Sequence, residues 1–242
     1  YNDMYSANDV VPPVRSDLEL NNPNPLMKHL MERVAGKTFS TQEAREKVIP
    51  VYMGLITQID DQLGLLFDFM KGKDLLENTM IVFTSDHGDY FGDHWMGDKN
   101  YFHDQSVKVP LIIADPSRSA DGTRGTTDHS LVELIDLLPT FIDYHGGKVE
   151  KNVIDGRSLM PKINNKKVDW REYAVSEFDY SCEVFRPKTE RLPLDCRSYM
   201  IATHEWKYVY APGYPPVLFD LVNDPDELND LGINPEYDEK YG

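Results

Sequence analysis

Asp86 and His87 stand side by side where an apolar, β-prone run ends. That run covers residues 80–84 and leads into Ser85-Asp86-His87-Gly88, then a turn dense in Asp, Gly and His, then Lys99, then a second β-prone run at residues 107–114. A carboxylate and an imidazole offered together form a donor set for a divalent metal, and in α/β sheets ligands collect just outside the carboxyl ends of parallel strands. Gly88 supports the reading: a backbone without Cβ turns sharply enough for two consecutive side chains to converge instead of pointing to opposite faces. The same residues also fit a helix cap and turn, with Asp86 satisfying backbone donors and His87 at the surface.

The elements that position this loop are legible from pattern. Residues 1–37 contain Pro12-Pro13, Asn22-Pro23 and Asn24-Pro25, which predict a loop laid over the surface with one short helix at 25–34. Ser40 and Glu43 form a capping box, followed by Ala44, Val48, Val51, Leu55, Ile59, Leu63, Leu66 and Met70 in steps of three or four. This predicts a long helix, kinked or delayed by Pro50, that packs on a sheet and crosses over into the 80–84 strand. Its Asp60-Asp61 pair reads as a solvated face. Ser130 and Glu133 open another helix, which Gly146-Gly147 ends. Short β-prone runs at 173–178, 197–203, 207–210 and 217–221 predict a small antiparallel sheet. Asp224-Pro225-Asp226-Glu227 then reads as the start of a short helix, with no catalytic meaning. The fold class is α/β, a mixed sheet flanked by helices, divided into residues 1–168 and a small antiparallel subdomain at 169–242.

Asp86-His87-Gly88, Gly92-Asp93-His94, Lys99 and Val109-Pro110-Leu111-Ile112 resemble the C-terminal half of the sulfatase branch of the alkaline phosphatase superfamily, in the wording of bacterial phosphonate monoester hydrolases and arylsulfatases. Cys196-Arg197-Ser198-Tyr199, Trp206-Lys207-Tyr208-Val209 and Leu218 through Pro225 are similar to the end of the same enzymes, so the resemblance runs over residues 51–231. It implies an alkaline-phosphatase-like fold and hydrolysis of a sulfuric or phosphonate ester. Asp86 and His87 would be metal ligands, and Lys99 would contact the substrate oxyanion, with an ordinary surface lysine as the alternative. His94 would either hydrogen-bond a metal ligand from behind or be a satisfied buried histidine. Imidazole at position 87 favours Mn or Zn, with Ca the alternative. The family's nucleophile is a formylglycine made from Cys or Ser in a Cys-x-Pro-x-Arg or Ser-x-Pro-x-Arg motif, and two further metal ligands are an N-terminal Asp pair. Neither occurs here; Cys182 has Arg186 four positions on, but Val184 stands where proline belongs and the position follows the metal block. The chain therefore reads as the C-terminal portion of a longer enzyme, inactive alone. A phosphodiesterase or phosphomutase of the same superfamily, and a non-catalytic binding or oligomerisation module, are the alternatives.

The remaining residues bound the answer. With 242 residues and 40% hydrophobic content the chain holds enough apolar material for a sizeable core. No run approaches the roughly 18 apolar residues of a membrane span. A formal net charge of −16 argues against nucleic acid and requires local positive charge to meet a small anionic ester. A homo-oligomer is left open. His103-Asp104 reads as a local polar pair, and Arg186, Arg191 and Arg197 as surface arginines with an anion contact as the alternative. Cys182 and Cys196 are expected to stay reduced more often than bridged. The resemblance favours a cytoplasmic, bacterial setting.

Overall fold

The structure, a computed structural model, describes residues 1–150, 152–183 and 186–232. It comprises two compact units interleaved along the chain, where the sequence suggests one linear division at 168/169. The first contains Tyr1–Gln62, His87–Val109 and Val175–Gly242, the second Leu63–Asp86 and Pro110–Ala174.

In the first unit, the opening segment is more helical than its prolines suggest, with α1 (Asp17–Asn21), α2 (Pro25–Met31) and α3 (Val34–Phe39). A Ser16-x-x-Glu19 capping box starts α1, the Glu19 carboxylate accepting the Ser16 N–H at 2.7 Å. Asn24 caps α2 ahead of Pro25. The long helix α4 (Gln42–Gly72), which belongs to this unit as far as Gln62, runs through Pro50 and starts on Thr41, whose Oγ1 accepts the Ala44 N–H. Ser40 does not cap it: it closes α3 in helical conformation, and its hydroxyl donates to Lys37 O at 2.8 Å.

The apolar period of α4 is as expected, but its packing is not. Val48, Val51, Leu55, Ile59 and Leu66 are exposed among the described residues. The buried positions are Arg45, Pro50 and Gly54. Gly54 lies so close to the Tyr1 carbonyl that a Cβ would come within 2.3 Å of its oxygen.

The predicted C-terminal sheet is present in the order β3 (Ala174–Asp179), β4 (Arg197–Ala202), β5 (Trp206–Tyr210), β6 (Val217–Asp220). Alternation decides its faces: Ser198, Met200 and Ala202 are buried while Arg197, Tyr199 and Ile201 look outward. Met200 pairs with Val209, and Val209 with Val217, adding to a core that includes Leu26, Leu30, Tyr90, Met96, Phe102 and Tyr180. Residues 224–227 form a turn rather than the predicted helix. Asp224 does cap, accepting from Leu228 and Asn229 N–H, but Glu227 sits at φ 56° with its carboxylate buried beside Lys207. Cys182 is exposed, Cys196 is buried, and both are free thiols.

In the second unit β1 (Ile81–Thr84) pairs with β2 (Leu111–Ala114), Thr84 facing Leu111. The pairing is antiparallel. Val107 belongs instead to a single helical turn of the first unit, α5 (Asp104–Val107), and Pro110, which has no N–H for a ladder, precedes the first residue of β2. α6 (Leu137–Tyr144) follows a turn capped by Glu133 and Asp136, three residues beyond the predicted Ser130 start. Asp136 is fully buried and satisfied by Arg171 and by the Glu133 and Arg157 N–H groups, which fixes that start. Gly146, at φ 71°, and Gly147 end the helix as expected. α7 (Met160–Ile163) completes the unit. No helix among the described residues is long and apolar enough to cross a membrane.

Candidate active site

β1 delivers Ser85 and Asp86 to its end, Asp86 exposed, with the Ser85 hydroxyl 3.4 Å from its Oδ1. At His87 the tautomer follows from the partner. Nδ1 lies 2.8 Å from the Gly88 carbonyl, which only accepts, so Nδ1 carries the proton and Nε2 presents its lone pair. Nε2 lies 2.6 Å from Lys99 Nζ, which donates to it. The structure thus brings two of the predicted site residues into direct contact.

Gly88 is required for a different reason from the one the sequence suggests. It is not among the residues with positive φ; a Cβ there would fall 1.9 Å from the Gln105 carbonyl oxygen. The chain needs close approach at this point, not an unusual turn. Beyond it, Phe91, His94, Trp95 and Asp98 all adopt left-handed backbone, with φ of 45°, 50°, 59° and 67°. Such conformations persist only where surroundings over-determine them, and residues 11–19 do so here. His94 N–H donates to Val14 O at 2.8 Å, Val14 N–H to Asp93 Oδ1 at 2.9 Å, and the Trp95 indole to Ser16 O at 2.7 Å. Arg45 ties both segments, donating to Phe91 O and Val11 O.

His94 is fully buried, its Nδ1 2.6 Å from Glu19 Oε1 and its Nε2 3.1 Å from Gln105 Oε1. His103 stacks on it at 3.8 Å with 10° between the rings. Glu19, His94 and His103 therefore bring three ligand-type atoms within 4.8 Å of one another. Ring-plane lone pairs on stacked imidazoles run parallel instead of converging, and both nitrogens of His94 already have partners. Within the trio only Glu19 and His94 are hydrogen-bonded to each other; His103 meets His94 by stacking alone. Burial, with His94 and Lys207 nearby, pushes His103 well below the usual histidine range.

His103 and Asp104 do not form the local pair predicted from their adjacency. His103 Nδ1 meets the Tyr90 hydroxyl at 3.0 Å, whereas Asp104 takes Lys207 at 2.7 Å and Lys108 at 2.9 Å. Burial works to raise the Asp104 carboxyl, but the two lysines outweigh it and hold it below the usual range. Arg191 lies over Tyr214 and donates to Gly213 O, Arg186 reaches Arg191 O, and Arg197 lies 3.8 Å from both Glu177 and Asp179. Sequence reasoning missed Glu19, Gln105 and Ser106. The Ser16-x-x-Glu19 spacing would have found the helix that carries Glu19, but not its bond to His94.

A family model described as Sulfatase matches residues 21–147, and one described as N-sulphoglucosamine sulphohydrolase, C-terminal, matches residues 92–241. Among curated relatives, a multifunctional alkaline phosphatase superfamily protein, PehA, of Trinickia caryophylli is 33% identical over 98% of this chain and 49% of its own. An arylsulfatase of Clostridium perfringens is 28% identical over 99% of this chain and 47% of its own. Among solved structures, the phosphonate monoester hydrolase of Agrobacterium radiobacter superposes with TM-score 0.87 at 30% identity, covering 98% of this chain and 50% of that one. The chain spans about half the length of the curated relatives it matches.

Proposed function

The chain belongs to the sulfatase family, and from that premise we propose that it carries the metal-and-lysine part of an enzyme that hydrolyses sulfuric or phosphonate monoesters. What supports this reading is the contact between Lys99 Nζ and the unprotonated Nε2 of His87. Asp86 and His87 are the proposed ligands. The donor chemistry fits: the Nδ1–H to Gly88 O bond leaves Nε2 as the acceptor nitrogen of His87, the usual way a ligating imidazole is oriented from behind. A carboxylate with an imidazole suits Mn or Zn, with Ca the alternative. Such an ion, when bound, would polarise the ester oxygens.

The residues present have definite roles in this proposal. His87 offers one lone pair, which serves either Lys99 or an ion. With that lone pair serving a metal, the Lys99 ammonium would have its three donors available to offset charge on the non-bridging oxygens of a small anionic ester. The overall charge of −16 opposes such a substrate, so this local cation matters. The formylglycine expected of the family has no matching motif in this sequence. A phosphodiesterase or phosphomutase would use the same Asp86 and His87 with a different nucleophile.

The test is direct. This chain, purified and supplied with Mn²⁺ or Zn²⁺, is expected to bind the metal weakly and to leave 4-nitrophenyl sulfate and a phenyl phosphonate monoester intact. A longer polypeptide that includes it and a formylglycine motif is expected to hydrolyse one of them in a metal-dependent way. Metal-dependent turnover by the 242-residue chain itself would overturn the division of roles proposed here.

A further inference from the structure

We infer that Ser106 is a positioning residue that sets the spacing between His87 and Lys99. It is 3% exposed and uses both of its oxygens on the proposed site. Its carbonyl accepts the Gly88 N–H at 2.8 Å, fixing the residue next to His87. Its hydroxyl donates to the Lys99 carbonyl at 2.5 Å, fixing the backbone from which the lysine extends. One residue therefore holds both strands of the loop whose side chains meet at 2.6 Å.

The support for Ser106 is rigid. It lies on α5, which is pinned from two sides. The Asp104 N–H donates to Glu227 Oε2 at 2.7 Å, and the Asp104 carboxylate takes buried Lys207. On the other side Gln105 meets His94 Nε2, and Glu19 holds His94 in turn. The Gln105 carbonyl presses against Gly88 so closely that no side chain fits there. Lys99 is exposed and its stem is long, so without an anchored backbone its ammonium would range over many positions. Serine is suited to the place because a short hydroxyl can reach a main-chain carbonyl without adding volume.

The inference rests on reading His87 and Lys99 as site residues, but its test reads geometry in this chain and needs no catalysis. Nitrogen-15 NMR at fixed pH would follow the His87 ring nitrogens, the Lys99 ammonium and the proton contact between the two side chains. Ser106→Ala is expected to abolish that contact and shift the His87 Nε2 signal, with the Val209 and Phe219 signals unmoved. Ser106→Thr, which keeps the hydroxyl, is expected to restore both. If Ser106→Ala fails to fold, Ser106→Cys keeps the volume and weakens the donor, and is expected to separate the two side chains in the same way. Persistence of the His87–Lys99 contact in Ser106→Ala, or in Ser106→Cys where that is the variant read, overturns the inference, as does equal separation in Ser106→Ala and Ser106→Thr. In a hydrolytically active longer polypeptide, Ser106→Ala is expected to lower kcat about 10-fold with metal content unchanged. An unchanged kcat in a variant whose His87 and Lys99 have moved apart would count against the site reading while supporting the positioning role.

Discussion

Lys99 donates to His87 Nε2 across 2.6 Å, and the proton on the other ring nitrogen is held by Gly88 O at 2.8 Å. An ion at Nε2 must displace the lysine, so the two compete for one lone pair. Lys99→Ala is therefore expected to leave metal affinity unchanged or raise it, by calorimetric titration of this chain with Zn²⁺ or Mn²⁺. In an active longer polypeptide it should lower kcat/KM by about 10²-fold, on the order of 3 kcal/mol of lost oxyanion stabilisation. Arginine should rescue poorly, because its planar fork occupies different space. Near-normal turnover in Lys99→Ala would leave only Asp86 and His87 of the proposed site.

Metal content separates Asp86 and His87 from the other acidic positions. Asp86→Ala and His87→Ala, made in such a longer polypeptide, are each expected to lose the ion, since removing one donor leaves too few to hold it. Asp224→Ala should keep it. Asp224 accepts two N–H bonds in its turn, and their loss should cost about 1 kcal/mol of stability without touching the metal. Elemental analysis with a urea titration of each variant checks both halves.

Spacing made the Asp86-His87 and Lys99 pattern legible, because those residues share one loop. The bonds that hold the loop were not legible, since Glu19 reaches His94 across 75 positions and no periodicity marks that meeting. Gly88 is recognisable in the sequence as special, but for a different reason: the neighbour that forbids a side chain is Gln105, which is close only in space. In α4 the 3.6-residue period predicts the helix correctly, while the stripe it marks lies exposed among the described residues. Capping signals at residues 224–227 are also real, yet buried Lys207 draws the Glu227 carboxylate inward and the chain turns there instead of coiling. Local chemistry is readable from sequence; which distant group competes for it is not.

Gly88→Ala tests the close approach. The new Cβ would lie 1.9 Å from Gln105 O and 2.9 Å from its carbonyl carbon, both main-chain atoms that cannot swing aside. A loss of about 1–3 kcal/mol is expected from the forced displacement, read as a lower urea midpoint, together with weakening of the Gly88 N–H to Ser106 O bond in amide exchange. A variant as stable as the parent would mean that α5 yields easily.

Lys207 is 2% exposed and serves both Asp104 and Glu227, the latter at 2.5 Å. Burial raises the Glu227 carboxyl above its usual range in spite of that lysine. Lys207→Ala would strand a buried carboxylate, and a loss of about 3–5 kcal/mol is expected at neutral pH. Part of it should return in the double variant Lys207→Met with Glu227→Gln, which removes both charges. Urea denaturation of the two variants decides whether the unpaired charge or the lost packing dominates.

His103 makes acid stability measurable at one residue. The folded chain holds it neutral and well below 6.5, because it is buried, stacked on His94 and near Lys207. The unfolded chain binds its proton near the ordinary value of about 6.5. A depressed folded value means that the stabilisation is complete above that pH and is lost as pH falls below it. The slope approaches about 1.4 kcal/mol per pH unit. Between roughly pH 6.5 and 5 the wild-type chain should thus lose stability through this group. Glu227, raised by burial, acts with the opposite sign above its own unfolded value, so the comparison is made against a variant. His103→Gln keeps a polar partner for Tyr90 and removes the titration; it should be less stable at pH 7 but lose less on acidification. Parallel stability curves for the two proteins over that range would show that His103 is not the group being protonated.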